Sequence, residues 1–557
     1  MNAARGAPTA RELATATVVA ALLAIVFTWP LAARLGTAAR VDTGDGRYSI
    51  WNVAWVAHAL TSDDSVWNAN IFYPQRHALA FSEANLVAGV IGVPIWVLTK
   101  NPIATSNFTI LVSFVLAGVC MFALVRYLTG SRWGAALAGT VYAFCSYTFA
   151  HLAHIQLLMT FGPPLALLAM HQLIERPSTV RALWLGVVLA VQGLACGYYG
   201  LFGGLAVALG ILWFGLWSGQ IRSLRFWARV LLAAVVAFAL VLPFLQPYLD
   251  IQRAGFGRTL DDARIYDAGW RSYFASALVA YRWMLPYLGH WREVLFPGFM
   301  SLGLAALAIT RSLKSEGMLS GITARRLIGF YVVLAVMAAW GSLGPDAGLY
   351  RLLFETVPFM SMLRAPARLG LLVTLASAVL AGIGVASLEM NWRGSRRVVW
   401  LTVLMVATLA RSTVGPLDWA DAPAPTPAVR WLSKLPRGPV AAFPFYAHED
   451  MSHETHYMLQ STWHWQPLLN GYSDFIPDAI SRDLPRLRSF PSADALRALR
   501  ERQARYILVN WHLYGAQERE HVRSTLAALP STYRLMLNGP ETSLYELSAD
   551  VVDADIH

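Results

Sequence analysis

Apolar runs of about 20 residues, repeated along the chain and almost free of charge, most constrain what this sequence can fold into. They occupy 13–33, 103–125, 133–150, 155–174, 182–197, 199–217, 230–249, 294–310, 327–342, 369–388 and 398–416. None contains Asp, Glu, Lys or Arg except the last, which carries Arg411 near its end. A backbone in lipid must satisfy its own hydrogen bonds, and a helix does so within one segment. The period-2 alternation of a membrane barrel is absent. The chain is 56% hydrophobic and 14% charged, against about 25% charged in soluble domains. These features predict a polytopic α-helical membrane protein of about 11 spans.

One further run, 84–99, is short and contains Gly89, Gly92 and Pro94. If it does not span, every short basic loop falls on one side: Arg126/Arg132, Arg176/Arg181, Arg222/Arg225/Arg229, Arg311/Lys314/Arg325/Arg326 and Arg393/Arg396/Arg397. The positive-inside rule therefore favours an interfacial or re-entrant helix at 84–99, a cytoplasmic N-terminus and an extracytoplasmic C-terminus. Arg5 and Arg11 ahead of the first run resemble a signal peptide, but the run is too long for one and reads as an uncleaved helix. The expected organisation is a transmembrane module over 1–416, with outer loops at 34–102 and 250–293. A linker at 417–429 and a soluble extracytoplasmic α/β domain at 430–557 follow it. In that domain 439–445, 506–510, 533–537 and 543–547 read as strands, with a turn at Asn538-Gly539-Pro540; 493–503 and 516–529 read as amphipathic helices.

The net charge of +11 follows the basic loops and is better explained by membrane topology than by nucleic acid. Cys120, Cys145 and Cys196 each lie in an apolar run, so no disulfide framework is expected. No phosphate-cradling Walker loop, GxSxG elbow, kinase set or dinucleotide fingerprint occurs, which leaves a hydrolase or an ATP-driven pump without support.

The chemistry-bearing residues cluster at the expected outer surface. Val41-Asp42-Thr43-Gly44-Asp45-Gly46-Arg47-Tyr48 follows the first span. A carboxylate there suits a general base, and the flanking glycines favour Asp45 over Asp42 because they let backbone approach a ligand; a solvated turn is the plainer reading. Trp51, Trp55 and His58 share a helical face and read as a helix lying at headgroup level. Glu83 reads as a second acid, a metal ligand or a cap. His151 and His154, with Gln156 beside them, could orient a phosphate or an acceptor, or be plain interfacial residues. Arginines on the outer side run against the charge trend: Arg258 in the middle loop, and Arg364 and Arg368 in Leu363-Arg364-Ala365-Pro366-Ala367-Arg368. Guanidinium groups bind phosphate bidentately; salt bridges to Asp261, Asp262, Asp267 or Glu293 are the alternative. His448-Glu449-Asp450, His453-Glu454, His456 and His464 resemble a metal site in composition only, and read as a solvated polar surface.

Taken together the chain resembles the GT-C superfamily of membrane glycosyltransferases, which includes protein O-mannosyltransferases and lipid A aminoarabinose transferases. The matching features are the acidic loop around Gly44-Asp45, the helix at 84–99 and the loop 126–132. Asn70-Ile71-Phe72-Tyr73-Pro74, His151 to Gln156, Leu295-Phe296-Pro297-Gly298, Arg364 to Arg368 and Asn470-Gly471-Tyr472-Ser473 are similar to uncharacterised bacterial relatives. The resemblance implies a bacterial inner-membrane enzyme that moves a sugar, with inversion, from a polyprenyl-phosphate donor to an extracytoplasmic glycan, lipid or protein. Asp45 would be the base, Asp42 the fallback, and outer arginines would hold the lipid phosphate. Membrane lipid is a partner and nucleic acid is not; no cofactor is certain, with room for a divalent cation. The first loop lacks the Asp-Glu pair of protein O-mannosyltransferases, which argues against protein acceptors. The competing readings are a lipid-linked sugar transporter, disfavoured by the lack of charge within spans, and a non-catalytic scaffold.

Overall fold

The computed structural model describes residues 6–313, 321–392 and 394–548; Arg5, Lys314 and Arg393, used above for sidedness, lie outside the described residues. The chain divides into two compact units. A helical unit comprises Met1–Ala33, Thr109–Gln246 and Gln252–Asp418, and a mixed unit comprises Arg34–Phe108, Pro247–Ile251 and Trp419–His557.

Among the described residues, seven helices are long and apolar enough to cross a membrane: Ala10–Phe27, Pro102–Thr129, Ile155–Glu175, Gly197–Ser218, Leu224–Arg253, Ala324–Ser342 and Pro366–Asn391. Leu86–Thr99, Thr179–Ala195 and Phe299–Leu313 are apolar but shorter. The protein is a multi-pass membrane protein.

Several expected spans are reshaped. The first helix stops at Phe27 rather than 33, because Pro30 has no N–H and disfavours helix in the residue before it. The run 133–150 divides into Arg132–Ala143 and Ser146–Ala150, with Cys145 extended between them. The break lets the Phe144 ring stack on Phe114 and meet Phe27 edge-on. The run 398–416 is a helix at Gly394–Arg411, bounded by Arg396, Arg397 and Arg411. Helix Gly370–Asn391 forms the core of the helical unit and is buried without interruption from Gly370 to Ser387. It packs on Arg132–Ala143, Phe299–Leu313 and Gly321–Ser342. Close approach depends on small residues: a Cβ on Gly384 would sit 2.2 Å from the Leu304 carbonyl oxygen.

In the mixed unit, β1 (Ala38–Ala39) pairs antiparallel with β2 (Ala420–Asp421). A four-stranded sheet runs in the order β3 (Val440–Phe443), β4 (Tyr506–Asn510), β6 (Thr542–Leu547), β5 (Tyr533–Leu537). The β3–β4 pair is parallel and the other pairs are antiparallel. Pro444, which cannot donate to a ladder, ends the strand expected over 439–445. Helices Ala493–Glu501 and Ala516–Ala528 fall where their periodicity placed them.

The first loop, assigned from sequence to the transmembrane module, clusters with this sheet. Its residues 70–73 run beside 468–470: Phe72 N–H donates to the Asn470 carbonyl (3.0 Å), Tyr73 N–H to the Leu468 carbonyl (2.8 Å) and Leu468 N–H to the Asn70 carbonyl (2.9 Å). The segment read as a linker, 417–429, supplies β2 and the start of helix Pro427–Leu432. Trp51 and Trp55 do not lie at a surface. Both are fully buried on helix Gly44–Ala59, where their indole N–H groups reach Asn70 Oδ1 (3.0 Å) and the Val66 carbonyl (2.8 Å). A helix with Ala54 and Ala57 and only His58 charged over 48–60 is a core helix.

Candidate active site

In the mixed unit Val41 joins Ala39, Ile50, Ile103 and Leu459 in an apolar cluster that anchors the start of the acidic turn. Thr43 caps the following helix, its hydroxyl accepting the Gly46 N–H at 3.1 Å. That places Asp45 in the first turn of Gly44–Ala59, where the helix dipole favours a carboxylate, and Asp45 is exposed. Asp42 is held differently. Arg40 grips it in a fork, Nε to Oδ1 at 2.9 Å and Nη2 to Oδ2 at 3.0 Å, and this keeps the Asp42 carboxyl below its usual range. Arg47 donates to Thr455 Oγ1 (3.0 Å) and to the Val41 carbonyl (2.7 Å). The turn is therefore tied both to itself and to the segment 452–455.

Glu83 is half-buried. Its backbone carbonyl accepts from Asn52 Nδ2 (3.1 Å) and Asn85 Nδ2 (3.2 Å), and Tyr248 hydrogen-bonds the neighbouring Ser82 and Ala84 backbone. Asn85, in a left-handed conformation, occupies the position before helix Leu86–Thr99. Phe72, His77, Asn85, Lys100 and Trp465 also take positive φ in this unit. Such strain in non-glycine residues collects at functional sites.

Three of the other sequence-chosen residues gather in the helical unit. His151 Nε2 lies 3.4 Å from Glu293 Oε2, and its Nδ1 contacts the Tyr147 carbonyl at 2.8 Å. His154 faces the His151 ring, with centroids 5.8 Å apart. Arg368 lies over the Tyr198 ring at 3.9 Å. Burial would raise the Glu293 carboxyl, but His151, the Val294 N–H and Arg368 outweigh it and hold that carboxyl below its ordinary value. Arg364 stacks over Tyr266 at 4.8 Å, and its N–H donates to the Tyr198 hydroxyl at 3.1 Å. Gln156, half-buried, sits on the short helix Ile155–Leu158. Arg258 lies over Phe256 at 4.7 Å. In the middle loop Arg264 pairs with Asp261 and with Asp346 beyond the loop, and Arg292 pairs with Asp267.

No protein-family model and no curated protein matches the chain. Solved structures do. The archaeal oligosaccharyltransferase AglB from Archaeoglobus fulgidus, in complex with an inhibitory peptide and a dolichol-phosphate, aligns with a TM-score of 0.51 at 12% identity; the match covers 97% of this chain and 75% of that one. The apo oligosaccharyltransferase of Archaeoglobus fulgidus gives a TM-score of 0.53 at 13% identity, over 98% and 75%. The chain shares the fold of these oligosaccharyltransferases. ArnT from Cupriavidus metallidurans aligns over 96% of this chain and 98% of its own at 15% identity, but its TM-score of 0.41 carries no argument.

Sequence reasoning missed several residues that contact the candidate ones. Arg40, two residues ahead of Asp42, was not singled out, because the fork it makes is visible only in the structure. Glu293 was seen only as a salt-bridge partner, and the tyrosines under Arg364 and Arg368 come from distant segments. The polar cluster at 448–464 is not uniformly a solvated surface. His448, Glu449, Asp450 and His453 are exposed, whereas Glu454 and His464 are buried. Glu454 Oε2 accepts from Asn470 Nδ2 at 2.7 Å and its Oε1 from the Tyr446 N–H at 3.1 Å. Burial pushes its carboxyl up to about 8. Among the described residues no group of three or more His, Cys, Asp or Glu could hold a metal ion.

Proposed function

We propose that this protein is a membrane glycosyltransferase that moves a sugar from a polyprenyl-phosphate donor to an extracytoplasmic acceptor (a cell-envelope glycan, a lipid or a protein) with inversion at the anomeric carbon. One observation carries the reading: nearly the whole chain shares its fold with an oligosaccharyltransferase solved with dolichol-phosphate and an inhibitory peptide. Fold alone does not fix chemistry, so the argument also rests on the acidic turn.

Asp45 is the base. It is exposed in the first turn of its helix, and the Arg40 fork, which lowers the Asp42 carboxyl, leaves Asp42 a weaker base and the fallback. Asp45 takes the proton of the acceptor hydroxyl as its oxygen attacks the anomeric carbon. The bond from that carbon to the phosphate oxygen breaks, and the lipid phosphate leaves with the electron pair. Arg364 and Arg368, each held face-on by a tyrosine, bind that phosphate, with His151, His154, Gln156 and Arg258 as further donors. Glu83 shapes the acceptor side. The protein sits in the bacterial inner membrane with its N-terminus in the cytoplasm and the mixed unit outside. The first loop acts with residues 430–557 as an acceptor-facing body. A divalent cation belongs to the proposal only if chelation with EDTA abolishes transfer and added metal restores it.

The test is transfer of labelled sugar by membranes supplied with polyprenyl-phosphate sugars, wild type beside Asp45→Asn and Asp42→Asn at matched expression. Loss of a general base costs about 10²–10⁴-fold. That loss is expected for Asp45→Asn, with less than about tenfold for Asp42→Asn. Equal transfer by wild type and Asp45→Asn would remove Asp45 from the mechanism.

A further inference from the structure

Arg411 is the one charged side chain that the sequence places inside an apolar run, and the structure buries it. It closes the last turn of helix Gly394–Arg411. One guanidinium nitrogen is spoken for: Nη1 donates to the Pro297 carbonyl at 3.1 Å. Nε and Nη2 are buried and donate to no protein acceptor. The two orphaned groups are not arbitrary. Nε–H and Nη2–H form the outer edge of a guanidinium, two parallel donors whose spacing matches two oxygens of a phosphate or carboxylate.

Among the described residues no carboxylate acts on Arg411: Tyr281, which also hydrogen-bonds the guanidinium, and Cys145 are the groups beside it. The backbone is shaped to admit the guanidinium. Gly298 takes φ +89°, and a Cβ there would lie 2.4 Å from Nη1 and 2.9 Å from the Tyr281 hydroxyl oxygen. Tyr281, Phe296 and Phe299 pack edge to face beside it, with ring centroids 4.9–5.9 Å apart. Helix Phe299–Leu313 starts directly after this carbonyl and glycine, so its positive end adds to the same field. A buried cation without an opposite charge is costly, and water would satisfy its remaining donors without neutralising its charge.

We propose that the Nε/Nη2 edge of Arg411, between Gly298 and Tyr281 at the start of helix Phe299–Leu313, is a binding site for a phosphate-type oxyanion. The oxyanion is either free inorganic phosphate or the headgroup phosphate of a membrane lipid. Two oxygens accept the parallel N–H pair while Nη1 stays on the Pro297 carbonyl, which fixes the guanidinium plane.

The test uses the full-length protein, purified in a non-ionic detergent and stripped of lipid, with its unfolding midpoint followed as phosphate is added. Chloride at matched ionic strength is the control. In wild type a saturable rise of about 2 °C or more is expected on adding phosphate or phosphatidylglycerol. A rise with inorganic phosphate alone identifies a free ion, and a rise only with phosphatidylglycerol identifies a lipid headgroup. Arg411→Gln removes the fork and Arg411→Lys keeps the charge without it, and both should lose the rise. The proposal is overturned if wild type shows no rise above chloride with either ligand, a result that needs no variant to fold. It is overturned equally if Arg411→Gln responds as wild type does.

Discussion

Glu293, partly buried, and Glu454, fully buried, lie one in each unit, and they are held in opposite ways. In the helical unit Glu293 meets His151 at 3.4 Å and feels Arg368, and its carboxyl stays below the ordinary value. In the mixed unit Glu454 accepts only from the Asn470 amide and the Tyr446 N–H, and burial carries its carboxyl up to about 8. Removal from water disfavours charge in both, so burial does not decide the outcome; the formal charge of the partner does. One side of this comparison is suited to binding an anion, because it sets the Arg368 guanidinium and an imidazole around a single carboxylate. The other is a neutral structural joint that ties β3, through the contacts of Asn470 with Ala442, to the segment on which Arg47 docks.

The largest expected effect comes from cutting the charged pairing. Glu293→Gln leaves His151 and Arg368 without their acid, and breaking a buried pair costs roughly 3 kcal/mol. Wild type should also show the linkage. A folded pKa below 4.5 contributes stability that is present above that value and is lost as pH falls through the folded pKa. Chemical denaturation from pH 7 down to 3 should therefore find wild type losing more stability below pH 4.5 than Glu293→Gln does. Parallel curves would mean that the pair contributes nothing.

Glu454 has the opposite sign and a smaller effect on removal. Its folded pKa of about 8 lies above the ordinary 4.5. The folded state then binds more protons than the unfolded state between those values, and stability falls as pH rises through that window. Glu454→Gln keeps an amide able to accept from Asn470 and cannot ionise. Relative to wild type it should gain stability steadily from pH 5 to pH 8, with near equality at pH 5. A constant difference across the window would break the comparison, because it would mean that Glu454 is ionised when folded.

How much of this was legible follows from what each feature depends on. The long apolar helices and the strands of the sheet could be read because period and composition act locally: β4 and β5 fall on the expected residues, and β3 is shortened at both ends, next to Pro439 and Pro444. The acidic turn was legible for the same reason, since Thr43, Asp45 and Gly46 form one helix start. The burial of Trp51 and Trp55 was not, because it depends on residues 468–470 lying beside 70–73, nearly 400 positions away. Glu293 stayed in the background and Arg368 was placed without its tyrosine, because their partners come from four separate segments of the helical unit. The distinction between Asp42 and Asp45 was drawn from flanking glycines; the structure adds a stronger reason in Arg40.

Arg40 gives the smallest and most discriminating test. The Arg40–Asp42 pair is largely exposed, and exposed pairs contribute about 0–1 kcal/mol, so Arg40→Gln should hardly change the unfolding midpoint. Its consequence is chemical. With the fork gone the Asp42 carboxyl returns toward its ordinary range and becomes a better proton acceptor. Asp42 lies three residues from Asp45, on the other side of the Thr43 cap. In an Asp45→Asn background, Arg40→Gln should restore part of the lost transfer, about tenfold above Asp45→Asn alone, and the added Asp42→Asn change should abolish that recovery. The loss has a structural reading too, in which Arg40 merely holds the turn. In that case the double variant would be no better than Asp45→Asn, and Arg40→Gln alone would lower transfer as much as it loosens the turn. Restoration therefore separates a charge held in reserve from a charge used only as a strut, at a cost in stability too small to confuse the two.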